Sequence, residues 1–185
     1  MSKPQATYSQ PTFQEQSMST QTVLALGENT TSDNVRTIAV GLAALGCGLN
    51  AGVFYAFSTF VMDGLRRASD SAGLAAMQGI NESAPRAPFM ILFLGTVGLC
   101  VAAMVARPTV PVFVGSALYL VGVIGVTAAA NIPLNNQLVP LDPTAADSVA
   151  VWRHFLSSWL PWNHVRTAAG ALAAAAFTWQ LARGR

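Results

Sequence analysis

The strongest constraint on this chain is a series of long uncharged apolar runs. No residue carries a charge from Ile38 to Met62, from Pro88 to Ala106 or from Pro111 to Ala130, and Val165 to Ala182 holds only Arg166. About 20 apolar residues suffice for a helix to cross roughly 30 Å of hydrocarbon. Inside lipid the backbone polar groups need partners within the protein, and unbroken apolar runs of this length meet that need as helices. Composition agrees: 10% of the 185 residues are charged, against about a quarter in soluble chains. The expected fold is all-α, an integral membrane four-helix bundle with short interfacial helices in its two long loops. Its spans are expected near 37–62, 88–106, 111–131 and 165–182.

Residues 1–34 are of another kind. They are rich in Gln, Ser and Thr, with Pro4 and Pro11 and few aliphatics, so they bury too little to offset ordering entropy and read as a disordered tail. Lys3 is the only early base and Val23–Leu26 is short for the apolar core of a signal peptide. The membrane domain is then 35–185. Net charge is +2 with scattered basic residues, and no basic stripe interleaved with aromatics supports a nucleic-acid partner. Cys47 and Cys100 both lie in apolar runs, outside any zinc spacing, and read as small buried thiols.

Along the first span Ala44, Gly48, Gly52 and Ala56 fall four apart, a small-residue stripe that lets another helix, or a second copy of the chain, approach closely. Asn50 lies mid-span, where its amide needs partners in the bundle interior. The first long loop holds a helix over 71–81, with Leu74, Met77, Gln78 and Asn81 on one face. Pro85 and Pro88 stop it and set the next span, and Arg107-Pro108 turns the chain into the third. Asn131-Ile132-Pro133-Leu134-Asn135-Asn136 places three amides around a proline at an expected helix end. Asp142-Pro143 reads as N-cap and first helical residue. Trp152, Phe155, Leu156 and Trp159 then recur at helical spacing, which predicts an amphipathic interfacial helix over 144–159, broken by Pro161.

Four spans alternate direction, so Met62, Phe89, Asn131 and His164 fall at one membrane face together with both long loops. The stretch Trp159-Leu160-Pro161-Trp162-Asn163-His164-Val165-Arg166-Thr167 enters the last span there. As an interfacial anchor it would offer two tryptophans as a belt and a snorkelling arginine. Yet almost every polar residue singled out converges on this end, where an apolar pocket with a few polar groups would hold a small molecule.

These residues also carry a resemblance. Asn50-Ala51-Gly52-Val53-Phe54-Tyr55-Ala56-Phe57-Ser58 with Val61-Met62, then Ala76-Met77-Gln78 with Ile80-Asn81, are the first pieces. The amide stretch 131–136 and Trp159 with Trp162-Asn163-His164-Val165-Arg166-Thr167 complete them. Together they resemble the anthrone oxygenase-like family of small four-helix membrane proteins, over about 36–182. The resemblance implies a multi-pass protein of a bacterial plasma membrane that oxidises anthrone-like polyketides with molecular oxygen and no resident cofactor. In such a reaction a benzylic C–H is lost and the electron-rich phenolate reduces oxygen, which calls for a base, oxyanion donors and a dry aromatic pocket. His164 is the expected base. Asn163 and Arg166 are expected beside it, with Asn131, Asn135 and Asn136 as further donors. Tyr55, Phe57, Trp159 and Trp162 are the expected walls, and Asn50, Met62, Met77 and Asn81 the remaining substrate contacts.

Two other classes fit parts of the pattern. A copper or iron oxidase would use His154 and His164 with Met62, Met77, Glu82 or Asp142, although their spacing matches no metal motif. A scaffold or transport protein would use the bundle alone, but four spans are few for a carrier and no charged pair crosses the core.

Overall fold

The computed structural model describes residues 13–184, without many of the side chains between 13 and 31. The chain divides into two units at Val35 and Arg36, and the packing described below belongs to the second. Among the described residues there is no strand. Helix α1 spans Phe13–Ala56 and continues through a wider π turn, Phe57–Val61, into α2, Met62–Arg67. Helix α3 is Asp70–Ser83, α4 is Ala87–Ala106 and α5 is Val110–Ala117. Two π segments, Leu118–Gly125 and Thr127–Asn131, lead from α5 into α6, Ile132–Leu138, and α7 is Ser148–Arg183. Among the described residues three stretches are long and apolar enough to cross a bilayer: Ser32–Arg67, Ala87–Ala106 and Val110–Leu138. Alanine supplies much of the apolar content of α7, which also carries Arg166 and Gln180 on its buried face.

Four long helices share one core. Val40, Ala43, Cys47 and Phe54 come from α1, and Phe93, Cys100 and Ala103 from α4. Val112, Tyr119 and Val123 come from α5 and its extension, and Ala169, Ala173 and Phe177 from α7. Asn50 donates to the Gly46 carbonyl at 2.9 Å and to Thr96 Oγ1 at 3.2 Å, tying α1 to α4. Tyr119 donates to the Phe93 carbonyl at 2.9 Å. The two thiols are buried as expected, with their sulfurs 4.0 Å apart.

A second core caps one end. It gathers Met62, Leu74, Met77, Leu138, Trp152, Phe155, Leu156 and Trp159. The helical stripe expected over 152–159 is therefore present, but it faces this cap core. Gln78 donates to the carbonyls of Leu138 and Leu141 at 2.7 and 2.9 Å, clamping α3 to the end of α6. Arg153 pairs with Asp70 at 2.8 Å, joining α7 to α3.

Several boundaries differ from the sequence expectation. Of the stretch expected as a tail, 13–34 is helical as the first part of α1; residues 1–12 lie outside the described residues. Extending an existing helix avoids the nucleation cost, and 13–34 contains no proline. Pro161 does not break α7, so the interfacial helix and the fourth span are one rod, about 54 Å long at 1.5 Å per residue. Proline is tolerated in membrane helices where neighbours re-satisfy the freed backbone. Pro133 likewise leaves the helix running to Leu138, and the wider π turns just before it make room for its ring. Asp142 does not start α7. Its carboxylate accepts from the Thr144 N–H at 2.8 Å and hydroxyl at 2.7 Å, a local turn, and the helix begins at Ser148.

The small-residue stripe is only partly covered: Ala44 packs on the bundle core and a Cβ on Gly48 would lie 3.9 Å from the Ala174 Cβ. Gly52 is exposed and a Cβ there would meet nothing within 4 Å. Close approach is made by other glycines. A Cβ on Gly46 would lie 2.5 Å from Thr96 Oγ1, one on Gly122 2.5 Å from the Ala169 Cβ, and one on Gly170 3.1 Å from the Ala51 Cβ.

Candidate functional site

Between the cap and the bundle lies a cavity of about 1020 Å³, at the upper end of the roughly 300–1,000 Å³ usual for small-molecule sites. Its walls come from most elements at this end: Val53 and Phe54 of α1, Phe57 of the π turn, and Met77, Ile80 and Asn81 of α3. Phe89, Met90 and Phe93 of α4, Thr127, Ile132 and Asn135 of the third span, and Trp159 and Arg166 of α7 close it. The walls are mainly apolar and aromatic. Phe89 stacks on Phe93 at 5.5 Å, Phe93 meets Phe54 edge-on at 6.4 Å, and Phe57 lies 5.8 Å from Trp159.

Arg166 is the one charged side chain in that wall among the described residues, and it is 5% exposed. Its guanidinium carbon sits 4.4 Å from the Phe54 ring centre and 5.1 Å from that of Trp159, so a cation is held between two π faces. One terminal nitrogen donates to Asn163 Oδ1 at 2.7 Å and the other to Thr127 Oγ1 at 3.2 Å, while Nε has no partner. Among the described residues no carboxylate lies within ion-pair distance of it. Arginine stays protonated in proteins and carries five N–H donors, so the wall holds a buried positive charge with only two of its donors bonded.

Asn163 serves this cation. Its amide nitrogen donates to the Phe54 carbonyl at 2.7 Å and to Ser58 Oγ at 2.8 Å, and Ser58 bonds in turn to Thr167 at 3.0 Å. Both amide hydrogens are used, so Asn163 holds Arg166 and has none left for a ligand. Asn135 accepts from the Trp159 indole at 2.8 Å, fixing that ring in the wall. Asn131 is fully buried, with a long 3.5 Å bond to the Trp159 carbonyl and an unpartnered Oδ1.

Of the residues expected from the sequence, Phe57, Met77, Asn81, Asn135, Trp159 and Arg166 line the cavity. Asn50 and Met62 do not: Asn50 joins α1 to α4, and Met62 is in the cap core. His164 is exposed, as are Tyr55, Asn136 and Trp162. The reason is helix phase. Trp159, Asn163, Arg166 and Gly170 share the inner face of α7, and at 100° per residue His164 is turned away from it. His154 is exposed too, bonded to Ser158 on its own helix. Among the described residues no group of three or more His, Cys, Asp or Glu side chains is placed to share a metal ion.

Phe54, Thr127, Phe89 and Phe93 complete the site without having been expected in it. Phe54 follows Asn50 by one turn and Thr127 precedes Asn131 by one turn, so continuing the inner face from either asparagine would have found them.

The described chain is an all-helical membrane protein with an aromatic cavity and a buried arginine in its wall. Its family is more definite. The family described as anthrone oxygenase matches residues 78–176, more than half of the chain, and the chain belongs to that family. The matched segment covers the end of α3, α4, the third span and most of α7. Membership points to an oxygenase. No curated protein and no solved structure gives a significant match.

Proposed function

We propose that this protein is a plasma-membrane monooxygenase for an anthrone-like polyketide, working in the cavity between cap and bundle. The observation that carries this reading is Arg166, an unpaired cation between Phe54 and Trp159 in the wall of an apolar, polycycle-sized cavity. An anthrone becomes a good reductant of oxygen once it is an enolate. Arg166 stabilises that negative charge in a site of low dielectric, where a preorganised donor acts most strongly. The aromatic walls hold the flat rings and exclude water.

The electron balance needs no external reductant. The enolate carbon gives an electron to molecular oxygen, and the two radicals combine to form a C–O bond and a peroxide anion. Protonation of the peroxide, then loss of the remaining C–H proton with hydroxide, leaves a new carbonyl and one water. The methylene carbon loses two hydrogens and gains one oxygen atom. The function is thus oxidation of an electron-rich aromatic with oxygen as co-substrate.

The test is oxygen uptake and anthraquinone formation by the purified protein in detergent, over a panel of anthrones. Arg166→Met is expected to lower turnover by about two to three powers of ten, the range for removing an oxyanion donor, with Arg166→Lys in between. His164→Ala is expected to remain near wild type. Absence of uptake with every anthrone by folded protein would remove the oxygenase assignment.

A further inference from the structure

We infer that the cavity takes its ligand as a preformed anion, an enolate or phenolate, and that the acidic proton goes to water and never to a base of the protein. This rests on the cavity being a site for an acidic polycyclic arene, and it adds how that arene is ionised and recognised. Among the described lining residues there is no His, Asp, Glu, Lys, Tyr or Cys; Arg166 is the only titratable one. Histidine was the natural candidate for proton removal, and both histidines are exposed on α7 away from this wall.

The charged groups on the surrounding elements are also unsuited to the task. Asp63 pairs with Arg67 on α2, Glu82 with Arg86 between α3 and α4, and Asp70 with Arg153 across to α7. None of them lines the cavity. The groups that face Arg166 from other elements are Phe54, Thr127, Asn163 and Trp159, and none of these ionises in the working range.

A cation held without a carboxylate inside a protein is costly, and an anionic ligand relieves that cost. Its pairing with Arg166 is worth more in this apolar setting than in water. Arg166 lines the cavity and is 5% exposed, so what an anion meets there is its charge, which no carboxylate among the described residues balances. An opposite charge at contact range lowers the pKa of an acid by about 1–3 units. The site therefore selects the ionised ligand: the C–H of an anthrone, or the O–H of a phenol, breaks in solvent before entry, its electron pair stays on the ligand, and the proton goes to water or buffer.

Two measurements decide the matter. A hydroxyanthraquinone, whose phenolate and phenol differ in colour, is titrated with the wild-type protein and with detergent alone. Its pKa is expected to fall by at least about one unit on the protein, a tenfold preference for the anion, and the fall is expected to vanish in Arg166→Met and persist in Arg166→Lys. An unchanged or raised pKa, or no binding to wild type, overturns the inference. The second measurement is the pH profile of kcat/KM for oxygen uptake with two anthrones of different acidity. The break is expected to follow each substrate's own pKa; a break at one fixed pH for both indicates a protein base and overturns it. If the probe ionises on the protein but no anthrone consumes oxygen, the anion site stands and the oxygenase reading falls. If uptake occurs with a fixed break, the reverse holds.

Discussion

At the scale of single residues, the site depends on phase within α7. Asn163, His164 and Arg166 are close in sequence, yet only two of them turn inward. The sequence contains the signal needed to separate them: Trp152, Phe155, Trp159, Asn163, Arg166, Gly170, Ala173 and Phe177 continue one stripe at steps of three and four. Taking Pro161 as a break cut that stripe and let His164 pass as an inward group. The amides were more legible, because a buried amide in lipid must be bonded wherever it sits. What each one bonds to was not legible, since Phe54 and Ser58 reach Asn163 only through tertiary packing. Asn163→Leu tests the role now given to it. It removes the acceptor of Arg166 and the donor to the Phe54 carbonyl, so the expected loss is about 1–3 kcal/mol, as for buried groups left unsatisfied. Thermal melting in detergent should show it as a lower Tm, together with reduced turnover. A variant with wild-type Tm and turnover would mean that Arg166 holds its place without this amide.

At the scale of elements, the spans were readable from charge-free length, while their contact faces were not. A stripe of small residues identifies a helix side without saying whether lipid or protein covers it. The glycines give a paired prediction. Gly122→Leu puts a side chain where even a Cβ would lie 2.5 Å from Ala169, so it should separate the third span from α7 and lower Tm markedly. Gly52→Leu meets open space and should leave Tm unchanged. Equal effects of the two substitutions would contradict this packing. The turn after α6 responds to acid. Asp142 is held below the usual carboxylate range by the Thr144 N–H and then by the Thr144 hydroxyl. A lowered folded pKa gives stabilisation that is complete above the unfolded value, near 4, and that fades as pH falls through the folded value. Hydrogen exchange at Thr144, corrected for intrinsic rates, should therefore accelerate only in acid. Asp142→Asn should flatten that dependence.

At the scale of the whole molecule, alternation of the spans placed the polar residues at one end, and the cavity is there. The cap was the harder part to foresee, because a loop helix with an apolar face suits a membrane surface as well as a protein core. Gln78 shows which was chosen, since its two bonds reach backbone carbonyls near α6. Gln78→Leu should loosen the cap and weaken binding of a hydroxyanthraquinone while the helical content of the spans persists; retained affinity would argue against the clamp. The two separate cores have a further consequence for how the protein fails. They are joined by α7, yet one is set among spans and the other packs the loop helix α3 against the ends of α2, α6 and α7. Warming should melt the cap first and leave the spans threaded through the bilayer. Heat-inactivated protein would then keep a templating frame in place, and on cooling it should regain its cavity without being inserted again.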